Sequence, residues 1–349
     1  MSRLRNCLPS HFIRRPPPLE DKATIEGNPD RELGLLSAVP PTVRPARGVR
    51  VAGRRWADFG SALLYMSPAL LVFAAFTFIP FFRSIWLSFF VTDQTGSPAR
   101  FNDIKYYARI LNLDGSGRDE YLNSILTTVK FTLMVVPTGI AVAVGLAVLA
   151  TAKVRGMSIF RTIFTSTVAI SVASASVIWA LIYNPSLKMT TWVVDLLNLK
   201  TQGLLLDPAT ALPAVAFMTI WTSLGFNFII TLAGLQAIPQ DLYDSSRIDG
   251  ASGWQLFRFI TLPLLTPTLL FLLIISTIGA FQAFTQFNVL IANEGPDAST
   301  NVMVYALFSS FFKDNRYGFA SALAVVLFVV LLVLSIVQFK LLDRRVHYQ

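Results

Sequence analysis

Asp241-Leu-Tyr-Asp-Ser-Ser-Arg-Ile-Asp-Gly-Ala-Ser-Gly-Trp-Gln-Leu-Phe-Arg-Phe-Ile-Thr-Leu-Pro263 is a polar island between two strongly apolar segments of a 349-residue chain. Its residue order spells two short amphipathic helices. Pro239 suits a first helical turn, where a missing N–H costs nothing, and Asp241 and Asp244 favour the positive end of the helix dipole. Gly250 is placed to end that helix in the left-handed conformation. Ser252-Gly-Trp-Gln255 has the form of a capping box opening a second helix. Leu256, Phe257, Phe259 and Ile260 give that second helix a side suited to the membrane interface. Ser245 and Ser246 are small, so the first helix fits deep in a groove. A structured polar hairpin in apolar surroundings points to docking by another protein, not to chemistry within the chain.

The surroundings are those of a membrane protein. The chain is 54% hydrophobic and 14% charged, with a mean hydropathy of +0.57, too apolar for an ordinary soluble domain. The net charge of +9 does not imply nucleic acid. Its basic residues sit at the N-terminus and in short loops, without a basic face or an aromatic ladder. The lone Cys7 excludes an intrachain disulfide and a thiolate metal cluster, and His11 and His347 lie far apart without ligand-like neighbours. Neither a metal nor a cofactor is expected in this chain.

Residues 1–58, rich in Pro and Arg, carry no periodic apolar pattern and are expected to form a cytoplasmic, disordered tail. Their basic start lacks an apolar core with a small-residue cleavage site, so no signal peptide is expected. Residues 59–349 form the membrane domain, with the hairpin at 239–261. Six spans of roughly 20 residues or more are expected, near Ala62–Phe82, Ser124–Ala150, Phe160–Tyr183, Ala209–Ile238, Leu262–Phe287 and Phe319–Leu341. Pro68, Pro80, Pro137, Pro213 and Pro267 lie in or beside them, as membrane helices tolerate. Runs of small residues, Gly139 to Ala147 and Ser171 to Ser176, suit close helix packing. Arg50, Arg54 and Arg55, then Lys153, Arg155 and Arg161, then Lys340, Arg344 and Arg345 flank alternate spans. This asymmetry places both termini, and by parity the hairpin, in the cytoplasm.

Asp244-Ser-Ser246, Gly250 and Ile260-Thr-Leu-Pro263 resemble the "EAA" signature of binding-protein-dependent ABC importer permeases: Glu-Ala-Ala, three residues, Gly, nine residues, Ile-x-Leu-Pro. The spacing matches throughout. Asp244 stands for the usual Glu, and Ser245-Ser246 for Ala-Ala, so charge and size survive with a carboxylate one methylene shorter. Ala233 to Tyr243, Thr261 to Leu265, Asn293-Glu-Gly-Pro296 and Tyr317 to Ala324 are similar to the carbohydrate-importer branch, and the likeness covers roughly residues 60–345.

The resemblance implies an all-α, polytopic membrane protein with the six-helix type I ABC importer fold and a cytoplasmic coupling-helix hairpin. Asp244, Ser245, Ser246, Gly250, Ile260, Leu262 and Pro263 are its expected ATPase-coupling residues. No Gly-x-x-x-x-Gly-Lys-Ser/Thr loop is present, so ATP and its Mg are expected on a separate ATPase subunit and the chain is not itself an enzyme. The implied partners are a second homologous permease, two ABC ATPase subunits and an extracytoplasmic solute-binding protein. All act at a bacterial or archaeal inner membrane, with the lipid bilayer as solvent and no nucleic acid involved.

The fourth and fifth spans carry amides and hydroxyls in place of charges. Intramembrane amides face a bundle interior, where they find partners. With aromatic neighbours Trp221, Phe228, Phe281 and Phe284, they resemble a sugar site. In maltose-type relatives the solute contacts come from these two spans, which places the substrate path near Trp221, Ser223, Gly225, Asn227, Phe228, Gln282 and Gln286. An uncharged lining favours a neutral polyol. A competing sign is the terminal Val337 to Gln349, which looks like the end of glycerol-3-phosphate permeases; a phosphate needs cationic or helix N-terminal donors. An ion-coupled secondary transporter is disfavoured, because no Asp or Glu lies in the span cores and no repeat is evident. A membrane enzyme is disfavoured by the scarcity of His and Cys.

Overall fold

The computed structural model describes residues 54–113, 120–151, 155–187, 192, 195–196, 203–291 and 295–343. Most of the expected tail (residues 1–53) therefore lies outside the described residues, as do Lys153, Lys188, Lys200, Asn293, Glu294, Arg344 and Arg345.

The chain divides at Pro68 into two units. The described part of the first is a run of helix α1 (Arg54–Phe73), in which Leu63, Leu64 and Tyr65 are exposed. In the second unit a π-helical turn, Ala74–Phe78, leads into α2 (Ile79–Leu87), followed by a hairpin of β1 (Phe90–Thr92) and β2 (Pro98–Phe101). Then come α3 (Lys105–Ile110), α4 (Glu120–Ala150), α5 (Met157–Ser166), α6 (Val172–Ile182) and α7 (Pro208–Gln236). The rest is α8 (Gln240–Ile248), α9 (Gly253–Leu256), α10 (Leu262–Phe281), α11 (Thr285–Leu290), α12 (Met303–Phe308) and α13 (Tyr317–Asp343).

Among the described residues five helices are long and apolar enough to cross a bilayer, or six when one bent pair counts as a span. They overlap the expected runs: Ser61–Leu87, Tyr121–Ala150, Pro208–Gln236, Gly253–Phe281 and Tyr317–Leu341. The fourth of these starts at Gly253 instead of Leu262, because the second helix of the hairpin continues through a π-helical turn, Phe257–Thr261, into the span. The third expected span differs. Met157–Ala169 and Val172–Ile182 meet at 103° instead of running straight from Phe160 to Tyr183. Ile170 and Ser171 are extended, and Ser171 Oγ accepts the Ser174 amide at 3.1 Å, which caps α6 and competes with helix continuation. Ser171 therefore acts as a cap where the sequence pattern pointed to packing. The fifth span stops at Phe281, because Gln282 and Phe284 leave helical geometry before α11 begins. This is short of the expected Phe287.

In a bilayer, helices associate by close packing and hydrogen bonding, since lipid tails are as apolar as leucine. Small residues let α4 and α7 approach. Ala143 and Ala147 are fully buried, and a Cβ on Gly139 would stand only 3.6 Å from Asn227 Nδ2. One core cluster joins Phe131 of α4 to Val215 and Met218 of α7 and Phe287 of α11. A second joins Ala147 of α4 to Phe228 and Leu235 of α7 and Leu265 of α10, and continues into Tyr243 and Phe257 of the hairpin. The hairpin is thus packed onto the end of the α4–α7 pair.

Candidate functional site

Two features follow from this packing: the hairpin after α7, and a cavity along α7. The hairpin has the local structure that its sequence spells. Pro239 is the cap before α8, one residue earlier than a first-turn proline, and Asp241 occupies the first turn. Gly250 has a φ of +82°, and its N–H donates to Arg247 O at 3.1 Å while Ala251 N donates to Ser246 O at 3.0 Å. These bonds satisfy carbonyls that the helix end leaves open. The capping box is formed: Ser252 N donates to Gln255 Oε1 at 2.7 Å, and Gln255 N to Ser252 Oγ at 3.4 Å.

The side chains divide between anchoring and display. Leu256 is buried and Phe257 packs on the core cluster, whereas Phe259 is 72% exposed and Ile260 is half-buried. Asp244 is exposed and stands 3.5 Å from Arg247 one turn on. Ser245 Oγ and Ser246 Oγ donate to Asp241 O and Leu242 O, each at 2.8 Å. Their hydroxyls are satisfied inside the helix, so Ser presents nearly the surface that Ala would. Leu262 and Pro263 open α10. Arg161 lies at this same end, its guanidinium donating twice to Ala150 O, the last carbonyl of α4, at 2.6 and 3.1 Å.

The cavity encloses about 530 Å³. Its walls come from α7, from the break between α5 and α6, and from the break between α10 and α11. Ser223, Asn227, Gln282 and Gln286 all line it, so four of the seven expected path residues share one space. Asn227 and Gln286 are 3% and 6% exposed, and among the described residues neither side chain has a hydrogen-bond partner. No lining residue is charged. Trp221, Gly225 and Phe228 lie elsewhere. Trp221 stacks edge-to-face on Trp179 at 5.7 Å, Phe228 is fully buried beside Phe164, and Gly225 abuts Thr167 and Val168. Thr222, one of the hydroxyls of the fourth span, lines it as well, and Thr219 and Phe226 join the lining without having been expected. Thr219 stands four residues before Ser223, and Phe226 three after it and four after Thr222, which is the helical signal that identifies that face.

Residues 113–348 match the model of a family described as the binding-protein-dependent transport system inner membrane component. The chain belongs to that family. It is a multi-pass permease of the inner membrane. It is 31% identical to the sn-glycerol-3-phosphate transport system permease protein UgpA of Brucella abortus, over 81% of this chain and 94% of that one. It is 32% identical to the trehalose/maltose transport system permease protein MalF of Thermococcus litoralis, over 79% and 92%. The fold agrees with a chain of a bacterial ABC transporter involved in import of the acidic polysaccharide alginate. There the TM-score is 0.68 at 22% identity, with 83% of this permease and 99% of that chain covered. The type I importer fold implied by the hairpin signature is therefore present, and the hairpin occupies the place in this permease that the signature marks.

Proposed function

We propose that this permease is one of two homologous membrane subunits of an ATP-driven importer for a neutral sugar or oligosaccharide. The observation that carries the solute class is the cavity of about 530 Å³ with an uncharged wall. Amides and hydroxyls from Ser223, Asn227, Gln282 and Gln286 suit sugar hydroxyls, while Phe226 and Phe284 offer faces to ring C–H surface. A solute-binding protein delivers the sugar to the outer face. Two separate ATPase subunits, which hold ATP and Mg, grip the Asp241–Pro263 hairpin, and their closure rocks the helices between inward- and outward-open states. This chain itself catalyses no hydrolysis.

The orientation has both termini and the hairpin in the cytoplasm. Arg155 and Arg161 support it, since they lie at the α4–α5 connection against which the hairpin packs. A second reading, import of glycerol-3-phosphate, is favoured by the relatives of that name at 28–31% identity and by the C-terminal resemblance. The test is ATP-dependent uptake of radiolabelled maltose, trehalose and sn-glycerol-3-phosphate into proteoliposomes holding the full complex. Accumulation of the phosphate ester alone overturns the neutral-sugar reading. Uptake that ignores ATP but follows an ion gradient overturns the importer reading itself.

A further inference from the structure

The hairpin is joined to the two spans beside it in different ways. On the α7 side the link is Pro239, extended with a ψ of +133°, directly before α8. On the α10 side there is no loop. The helix runs from α9 through the π-helical turn Phe257–Thr261 straight into α10 at Leu262.

The residue order makes that continuous helix weak at one place. An α-helix needs residue 263 to donate its N–H to Phe259 O, and residue 267 to donate to Pro263 O. Both positions are proline, so both bonds of the ladder are missing. Four residues apart, the two gaps fall on one face. Just before them the helix is wider than an α-helix: Leu262 N donates to Phe257 O, five residues back instead of four. Thr261 Oγ1 donates to Leu256 O at 3.3 Å, a side-chain bond that also reaches back five residues. Prolines and π-turns are the two commonest causes of a bend in a helix, and here they follow one another between Phe257 and Pro267. The surroundings leave one side free. Trp254 and Phe259 are 71% and 72% exposed, whereas Leu256 and Thr261 are buried.

We propose that residues 257–267 are a hinge, at which the hairpin changes its angle to α10 when the ATPase subunits close and open. The π-turn is the slack that the movement takes up, and the two missing ladder bonds keep the bend cheap. The hinge rests on the reading of the chain as an ATP-driven importer. It makes the hairpin a jointed crank, not the rigid end of a membrane helix.

The test uses the full complex with Cys7→Ser in this chain. Nitroxide labels on Ile248→Cys, at the end of α8, and Phe271→Cys, on the exposed side of α10 beyond Pro267, report the angle as a distance. Double electron–electron resonance is recorded without nucleotide and with ATP and vanadate. The hinge predicts a separation that shifts by several ångströms between the two states, and an unchanged separation overturns it. Pro267→Ala restores one ladder bond. That variant is expected to melt no lower than the parent in detergent and to keep its ATPase subunits, while solute moved per ATP falls several-fold. The solute is whichever of radiolabelled maltose, trehalose and sn-glycerol-3-phosphate the parent accumulates. Pro267→Gly supplies the same N–H but leaves the helix pliable, so it keeps more of the parent coupling than Ala does. Equal loss in both variants assigns Pro267 to ring packing, and full coupling in Pro267→Ala makes the bend dispensable; either result overturns the hinge. The parent complex answers for the importer reading separately. ATP-driven uptake with a fixed separation removes only the hinge, and a separation that follows nucleotide without ATP-driven uptake removes the importer.

Discussion

The hydroxyls of Tyr243 and Thr261 share a hydrogen bond of 3.0 Å across the hairpin. Tyr243 belongs to α8, the arm that is displayed, and Thr261 is the residue before α10, the span that follows. The Tyr243 ring also packs in the cluster that holds Phe228 and Leu265. A side chain therefore ties the displayed arm to a membrane span, in addition to the loop at Gly250.

Tyr243→Phe isolates the polar half of that connection. The ring keeps its packing, and Thr261 Oγ1 retains Leu256 O at 3.3 Å as acceptor. The expected loss of stability is about 1 kcal/mol, the ordinary net worth of one hydrogen bond. The functional loss is expected to be larger: ATP hydrolysis persists while solute moved per ATP falls. Parallel measurement of phosphate release and uptake checks this, and an unchanged ratio takes the bond out of the coupling path.

Asp244 is one of two carboxylates on the displayed arm, with Asp241, and Arg247 already engages it at 3.5 Å. Both are exposed, so the pair contributes only about 0.3–0.5 kcal/mol, and a competing cation would displace Arg247 at little cost. Asp244→Lys turns this attraction into repulsion. It is expected to abolish stimulation of the ATPase by the permease while leaving membrane insertion intact. Asp244→Glu is expected to retain stimulation. Hydrolysis rates of reconstituted complexes, with membrane fractionation as the control, separate these outcomes.

Gly250 allows a graded test. Its φ of +82° disfavours any side chain, yet no atom lies within 4 Å of a Cβ placed there. Gly250→Ala therefore costs only the left-handed backbone penalty, about 1–2 kcal/mol. Gly250→Pro cannot adopt that φ and also removes the N–H that donates to Arg247 O. Partial loss of ATPase co-purification is expected for Ala and complete loss for Pro. Equal co-purification by both variants and the parent rules out the hairpin turn as the docking element.

The hairpin was legible in the sequence because its signals are local: a cap, a Gly stop, a reciprocal Ser–Gln pair. The spans were legible because apolar length survives any detail of packing. The two breaks were not. Ser171 sits in a run of small residues that also suits helix packing, and the Gln282–Phe284 break contains neither Pro nor Gly. Along α7, composition marked a functional helix without saying which face meets the cavity. Trp221 and Phe228 have the residue types of a sugar site, yet their packing against Trp179 and Phe164 assigns them to the helix–helix contact. Of the path residues expected on α7, Ser223 and Asn227, four residues apart, kept to the open face.

Gly225 sharpens that division, because it lies between two cavity-lining residues in sequence and packs on Thr167 and Val168 at the α5–α6 break. A Cβ there would approach Val168 Cγ2 to 2.8 Å and the carbonyl of Phe164 to 2.9 Å. Backbone cannot yield as a side-chain tip does, so Gly225→Ala pushes α7 away from the α5–α6 break. Overpacking of this kind costs about 1–3 kcal/mol, and a lower melting temperature in detergent is expected. That break also walls the cavity, so the half-saturating solute of the surviving complex is expected to rise, but by less than in Asn227→Leu. Asn227→Leu should do the reverse, since it removes an amide that has no partner among the described residues: uptake affinity falls about ten-fold, the equivalent of one hydrogen bond of about 1.4 kcal/mol, with little change in melting. A Gly225→Ala permease that melts normally but binds solute poorly would return Gly225 to the substrate path, and the face of α7 assigned to the cavity would have to be redrawn.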